Sequence, residues 1–224
     1  MTPSPFSTII LGGTGQVGSG AVEELLAIPE CREVVMVTRK PVPPRARVRN
    51  VVLDTGAADF AERIKALAIE TLARHGHVSA VSCLGIGTGT LRWSEDDLKR
   101  VEVGVAGAFA RGCHEGGIAQ FCLLSAVGST AQSLFKYVRV MGMKEDAVRA
   151  VGFTRLAIFR PGVIVGNVHT PAWGPLLGSL MPGKFGNIDQ RIIGRAMAKE
   201  IALRSRATGE IIRENAAMKA LAAE

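Results

Sequence analysis

The chain of 224 residues has few aromatic side chains, which make up 5% of it. Eight Phe, two Trp and one Tyr are too few for the stacked aromatic surface that binds single-stranded nucleic acid. No apolar run approaches the roughly 18 residues of a transmembrane span, and residues 1–7 lack the basic start and apolar core of a signal peptide. We therefore expect a cytoplasmic protein with neither a nucleic-acid partner nor a membrane partner.

The sequence also lacks the patterns of a metal site or a disulfide framework. Its four cysteines show no paired spacing, and its four histidines have no Cys or carboxylate partner at ligand spacing. We expect no metal, and we expect reduced, buried cysteines. These cysteines are Cys31, Cys83, Cys113 and Cys122.

The composition is that of a globular protein, with 47% hydrophobic and 21% charged residues. No linker divides the chain, so residues 1–224 are predicted to form a single domain. The net charge of +7, from 27 basic and 20 acidic residues, suits a ligand that carries phosphate. The densest basic cluster comprises Arg39, Lys40, Arg45, Arg47 and Arg49.

Short β-rich runs alternate with helical stretches along most of the chain. This alternation predicts an α/β fold of the Rossmann type, with a doubly wound parallel sheet. The predicted strands are 7–11, 33–38, 51–54, 78–84, 121–125 and 155–159. The predicted helices are 16–27, 60–75, 96–114, 134–151, 190–204 and 209–223.

Residues 162–189 interrupt the alternation with a stretch rich in Gly and Pro. The stretch is too long for a simple connection, so we interpret it as the substrate-side loop. Its apolar side chains predict a small-molecule substrate with an apolar face. They are Pro171, Trp173, Leu176, Leu177 and Met181.

A glycine motif follows the first predicted strand and opens the first predicted helix. Gly12, Gly15 and Gly18 form the pattern G-x-x-G-x-x-G. Glycines at such a junction permit a tight turn and let backbone N–H groups approach a pyrophosphate at the helix N-terminus. The motif therefore predicts a dinucleotide site, with a purely structural turn as the alternative.

The end of the second predicted strand distinguishes the two nicotinamide cofactors. An acidic residue there would bind a ribose 2′-hydroxyl, but Arg39 and Lys40 occupy the position. Two cations suit a 2′-phosphate. We therefore predict NADP, with NADPH preferred over NADH, and the alternative is a solvated basic turn.

Several further motifs resemble a known family. GGTGQVG at 12–18, TRK at 38–40 and CLG at 83–85 resemble the short-chain dehydrogenase/reductase superfamily, in particular its atypical, NAD(P)-binding (NmrA-like) members. LLSAVG at 123–128, YVRV at 137–140 and FRPG at 159–162 are similar to the Tat-interacting-protein oxidoreductase group. The resemblance covers about residues 7–222.

The resemblance implies a role for individual positions. Ser125 would orient a substrate carbonyl, and Tyr137 would donate a proton. The cofactor-binding residues it implies are Gly12, Thr14, Gly15, Gln16, Val17, Gly18, Arg39, Lys40, Asp54, Cys83, Leu84, Gly85, Pro161, Gly162 and Val163.

One position departs from the family pattern. The superfamily has a lysine four residues after the tyrosine, where its ammonium lowers the phenol pKa, but here the residue is Met141. Lys144 lies about two helical turns from Tyr137, where its ammonium would be badly placed.

Three functions therefore stay open. The first is an NADP-linked oxidoreductase of a small carbonyl or similar compound. The second is an NADP-binding regulatory or scaffold protein without turnover, and the third is a flavin-reductase-like activity, which needs less acid catalysis. The helices at 96–114 and 134–151 are candidates for a homodimer interface.

Overall fold

The computed structural model describes residues 4–86, 92–166, 183–203 and 207–224. Within these residues, seven parallel strands form the central sheet in the order β3-β2-β1-β4-β5-β6-β9, and β7 and β8 form a separate parallel pair. The strands are β1 (Phe6–Leu11), β2 (Cys31–Thr38), β3 (Val48–Val52), β4 (Val78–Ser82), β5 (Gln120–Leu124), β6 (Arg155–Phe159), β7 (Val163–Val165), β8 (Asn187–Asp189) and β9 (Gly209–Arg213).

Helices cover both faces of the sheet. A π-helical segment, Lys99–Val105, joins two of them, and a short 3₁₀ helix spans Gly183–Phe185. The α-helices are α1 (Gln16–Ala27), α2 (Phe60–His75), α3 (Glu95–Leu98), α4 (Ala106–Glu115), α5 (Lys136–Arg149), α6 (Gln190–Leu203) and α7 (Asn215–Ala223).

The core has one layer on each side of the sheet. Successive strand residues point to opposite faces, so Ile10 packs in the layer under α1 and α6 while Ile9 packs in the layer under α2 and α4. Both faces of β1 and β4 are fully buried, because helices cover both. The predicted doubly wound α/β sheet is confirmed.

The structure corrects the prediction at the C-terminal end of the chain. A helix over 209–223 is wrong, because Gly209–Arg213 forms strand β9 and only Asn215–Ala223 is helical. Strand β9 pairs in parallel with β6, and β-branched Ile211 and Ile212 suit a strand. This edge position is a tertiary contact that local helical periodicity does not encode.

The predicted substrate-side loop contains regular structure at both ends, where β7 and β8 pair with one another. Its middle, and with it Pro171, Trp173, Leu176, Leu177 and Met181, lies outside the described residues. The four cysteines are buried and free, as predicted. In the described parts of the chain, no helix combines the length and apolarity needed to cross a bilayer, and no three potential metal ligands cluster.

Candidate functional site

The glycine motif forms a tight loop between β1 and α1. Gly12 has a φ of +82°, and a Cβ there would lie 2.6 Å from the carbonyl carbon of Cys83. A Cβ on Gly18 would lie 2.1 Å from the Gly12 carbonyl oxygen. Both positions therefore require glycine, because any side chain would push the loop away from β4 or from α1.

The N-terminus of α1 is suited to an anion. Gly15 caps the helix without a side chain that could bind the first-turn N–H groups, and no acidic residue lies in the first turn. The N–H groups of this turn and the helix dipole therefore favour a negatively charged group beside the loop.

A cleft of about 380 Å³ opens at the carboxyl ends of β1, β2 and β4. Parallel α/β sheets bind ligands at this edge, where the strand order reverses. Seven of the predicted cofactor-binding residues line the cleft together: Gly12, Thr14, Gly15, Arg39, Cys83, Leu84 and Gly85.

The structure places the other predicted cofactor residues outside the cleft lining. Gln16, Val17 and Gly18 form the first turn of α1, which starts beside the cleft. Lys40 is exposed just beyond Arg39. The Asp54 carboxylate accepts a hydrogen bond of 2.9 Å from the Gly56 backbone N–H, whereas its neighbour Thr55 lines the cleft.

Pro161, Gly162 and Val163 follow the carboxyl end of β6, two strands away from β4 in the sheet, and contact α7. The Gly162 N–H donates to Asn215 Oδ1 over 3.0 Å, and the Val163 N–H donates to the Gly186 carbonyl. A Cβ on Gly162 would lie 2.4 Å from the Gly186 oxygen. This glycine therefore packs against protein backbone.

The cleft also contains residues that the sequence analysis did not assign. Val101 and Val105 come from the π-helical segment, and their spacing of four residues, typical of one helix face, could have indicated a shared wall. The others are Leu11, Val37, Thr38, Thr55, Ile86 and Trp93.

The basic cluster separates into paired and free side chains. Arg45 binds the Glu23 carboxylate, Arg49 binds Glu70, and Arg47 donates to the carbonyl oxygens of Leu26 and Cys31. By contrast, the described residues provide no salt bridge or hydrogen-bond partner for the side chains of Arg39 and Lys40, which are exposed. Two cations beside the cleft are therefore available to a ligand.

Ser125 is buried, with 5% of its surface exposed, and does not line the cleft. Its hydroxyl donates to Glu145 Oε1 over 2.5 Å. The same carboxylate binds Arg160 and Arg149. The hydroxyl hydrogen of Ser125 is therefore committed to a buried ion-pair network, although its oxygen can still accept a hydrogen bond.

Tyr137 lies in the first turn of α5, outside the cleft lining, and Met141 is buried one turn later with 3% exposure. Desolvation raises the pKa of the Tyr137 phenol well above its ordinary value, and the Glu102 carboxylate raises it further. Met141 supplies no charge to oppose these effects. The phenol therefore stays protonated at neutral pH.

Lys144 is fully buried and forms an ion pair with Glu102, which is 1% exposed. Its ammonium donates to Glu102 Oε2 over 2.9 Å and to the Leu84 carbonyl oxygen over 2.8 Å. Glu102 Oε1 in turn accepts the Ile86 N–H over 3.0 Å. Sequence periodicity gave no signal for this pair, because charged side chains are rarely fully buried.

The chain is similar to fungal proteins that are named as mitochondrial. It is 32% identical over 158 residues to "Protein fmp52, mitochondrial" of Aspergillus clavatus, a match that covers 70% of this chain and 66% of that protein. The corresponding Candida albicans protein is 27% identical over 161 residues, which cover 72% and 68%. About a third of each relative therefore lies outside the match. No family model matches the chain.

These relatives contradict the prediction of a cytoplasmic location, since they are named as mitochondrial proteins. The prediction was wrong because it rested on a missing secretory signal and a missing apolar span. Neither absence excludes an organelle.

Solved structures of nucleotide-dependent enzymes share the fold. A short-chain dehydrogenase/reductase from Serratia marcescens superposes with a TM-score of 0.67 at 13% identity, covering 97% of this chain and 100% of that one. The oxidoreductase ylbE of Lactococcus lactis gives 0.67 at 17% identity and covers 97% of both chains. MoeE5 in complex with UDP-glucose and NAD gives 0.67 at 16%, covering 92% and 75%. The chain shares the α/β fold of these solved structures, so the resemblance to short-chain dehydrogenase/reductase enzymes is confirmed at the level of the fold.

Proposed function

We propose that this chain binds NADP(H) in the cleft and acts as an oxidoreductase on a small compound with an apolar face, a carbonyl or a similar hydride acceptor. The observation that carries the proposal is the pair of cations at the end of β2, which have no partner among the described residues, next to a glycine loop that leaves room for a pyrophosphate. The solved relative in complex with NAD supports a nicotinamide cofactor in this fold, and the cations favour the phosphorylated form.

The residues fit such a cofactor from one end to the other. The first-turn N–H groups of α1 would hold the pyrophosphate, and the Arg39 guanidinium would bind the 2′-phosphate through a charge-assisted fork. Strands β1 and β2 are neighbours, as are β1 and β4. A dinucleotide held at the loop and at Arg39 would therefore extend toward Leu84 and Gly85. When bound, NADPH supplies a hydride.

The chain has fewer of the side chains needed for proton transfer than of those needed for cofactor binding. The Tyr137 phenol has no lysine at Met141 to lower its pKa, and the Lys144 ammonium is held by Glu102 and Leu84. Tyr137 would therefore act as a neutral hydrogen-bond donor that orients a bound compound.

A nucleotide titration tests the proposal. The wild-type protein should bind NADPH more tightly than NADH, followed by protein fluorescence or by Tm. Arg39→Ala should weaken NADPH binding about tenfold or more, the loss expected for one charge-assisted hydrogen bond, and leave NADH binding unchanged. Arg45→Ala removes a paired arginine of the same cluster and should change neither affinity.

The outcomes separate the open functions. Binding of neither nucleotide would overturn the proposal. Equal binding of NADPH and NADH, insensitive to Arg39→Ala, would overturn the NADP preference alone. Tight NADPH binding with no turnover of any carbonyl or flavin would favour a regulatory or scaffold role.

A flavin is the second candidate acceptor, and the raised pKa of Tyr137 favours it. A flavin takes a hydride without an acid activated by a lysine. NADPH-dependent flavin reduction should then persist in Tyr137→Phe, which removes only the hydroxyl. A large loss of carbonyl reduction in the same variant would instead support carbonyl chemistry.

A further inference from the structure

The wall of the cleft beyond β4 is held from beneath by a buried ion pair. Leu84, Gly85 and Ile86 follow the end of β4 and line the cleft. The Lys144 ammonium donates to the Leu84 carbonyl, and the Glu102 carboxylate accepts the Ile86 N–H. The pair therefore binds one carbonyl and one N–H of the same three-residue segment.

The pair matches the backbone in both geometry and charge. The backbone of residues 84–86 offers an oxygen at one end and an N–H at the other, and each is bound by the side chain of the opposite character. A Cβ on Gly85, between them, would lie 3.8 Å from Glu102 Oε1. A direct salt bridge of 2.9 Å fixes the two side chains to each other. Fully satisfied buried networks of this kind hold a single conformation.

The pair comes from two elements that meet beneath the cleft. Glu102 lies in the π-helical segment that also supplies Val101 and Val105 to the cleft lining. Such π-helical turns inside α-helices occur frequently at functional sites. Lys144 lies on α5, on the turn after Met141. The cleft wall is therefore tied to the helices on this face of the sheet.

We propose that Lys144 and Glu102 are positioning residues that hold the Leu84–Gly85–Ile86 backbone as the wall for the nicotinamide half of the cofactor. This inference rests on the proposed function, because it requires a dinucleotide whose adenosine half lies at Arg39. The hydrogen bonds of the pair go to the segment after β4 and not to the end of β2, so it should affect one half of the cofactor and not the other.

The test compares two ligands that share the adenosine half. NADPH occupies both halves of the cleft, whereas 2′,5′-ADP carries the 2′-phosphate and no nicotinamide. The double variant Glu102→Gln/Lys144→Met removes both charges together, so that no unpaired charge is left buried. It should weaken NADPH binding about tenfold and change the Kd of 2′,5′-ADP by less than about twofold.

The control is Arg155→Met/Glu200→Gln, which neutralises a second buried ion pair; Glu200 also pairs with Arg213, whose guanidinium can still donate to the glutamine oxygen. Arg155 begins β6 and contacts Glu200 over 2.5 Å at the amino ends of the strands, opposite the cleft. Its loss should lower Tm but leave the ratio of the two dissociation constants unchanged. A selective effect of the Glu102–Lys144 variant then results from the contact of this pair with the cleft wall and not from a general loss of stability.

If the Glu102–Lys144 variant leaves the ratio of the NADPH and 2′,5′-ADP dissociation constants unchanged, whether or not both ligands bind more weakly, the proposed role of the pair is overturned. If the double variant does not fold, Glu102→Asp keeps both charges of the ion pair but shortens the side chain that accepts the Ile86 N–H, and it should give the same selective loss, about threefold in size. Failure of the wild-type protein to bind either ligand would instead refute the proposed function. The two failures are therefore distinguishable.

Discussion

On the β2 side of the cleft, the exposed side chains of Arg39 and Lys40 have no partner among the described residues. On the β4 side, Lys144 and Glu102 neutralise one another out of contact with solvent. The β2 side has the properties of an anion-binding site. The β4 side has the properties of a scaffold, in which the charged groups already satisfy each other and the backbone. One cleft thus combines recognition on one side with rigidity on the other.

The same contrast extends to the predicted catalytic residues. Ser125 donates its hydroxyl hydrogen to the buried Glu145 carboxylate, and no cation among the described residues lowers the pKa of the Tyr137 phenol. In this structure, the positions predicted to bind the cofactor are therefore more open to a ligand than the positions predicted to transfer a proton. This difference favours hydride acceptors that need little acid catalysis.

The largest expected effect on cofactor affinity comes from placing a side chain in the glycine loop between β1 and α1. In Gly18→Ala the new Cβ would lie 2.1 Å from the Gly12 oxygen, so the loop must move. We expect NADPH binding to weaken about 100-fold or more. Gly20→Ala, on the same helix, is the control, because the atom nearest to its new Cβ lies 3.7 Å away. An unchanged Kd in Gly18→Ala would show that the pyrophosphate does not bind at this loop.

The β4 side is expected to govern stability. Lys144→Met leaves the Glu102 carboxylate buried without its partner, which should lower the free energy of unfolding by about 3–5 kcal/mol. Adding Glu102→Gln should restore most of that loss. Urea denaturation measures both variants, and a single variant as stable as wild type would contradict the dependence of the buried Glu102 carboxylate on Lys144. Arg39→Ala, on the β2 side, should leave stability within about 0.5 kcal/mol of wild type.

The β2 side is expected to govern cofactor choice. Arg39→Asp replaces the phosphate-binding cation with a carboxylate that can accept the ribose 2′-hydroxyl. We expect the preference to shift toward NADH by at least about tenfold, measured as the ratio of the two dissociation constants. Retention of the wild-type ratio would place the 2′-phosphate away from Arg39.

The smallest effect is a titration of the only tyrosine in the chain. Because its pKa is raised in the folded protein, near-ultraviolet absorbance should show no phenolate at pH values up to about 10, where an unfolded tyrosine ionises. The unfolded state then loses a proton that the folded state keeps, so stability should fall as pH rises above about 10. Phenolate formation between pH 7 and 9 would contradict the protonated phenol. Met141→Lys should shift the titration to lower pH.

Parts of this site could be predicted because they depend on local chemistry. Gly12, Gly15 and Arg39 lie at a strand–helix junction and at a strand end, and in a parallel sheet these positions meet at one edge. The strand at Gly209–Arg213 could not be predicted in this way, because only its pairing with β6 distinguishes it from the start of a helix. The role of Pro161–Val163 beside a cofactor stays a prediction, and the packing of Gly162 against the Gly186 carbonyl is a tertiary contact that the local sequence does not encode.

By itself, the amino-acid sequence determined the order of strands and helices as far as β6, the glycine loop and the cations at the end of β2. Each of these follows from neighbours along the chain: apolar periodicity, the conformational freedom of glycine, and the charge next to a strand. The tertiary structure decided which charges remain available to a ligand. Arg45 and Arg39 are both exposed arginines in one sequence cluster, and only the approach of Glu23 on α1 pairs the first of them. Likewise, Lys144 and Glu102 are 42 positions apart. Their ion pair depends on the packing of α5 against the π-helical segment. Because both side chains are removed from water there, either charge without the other would be strongly destabilising.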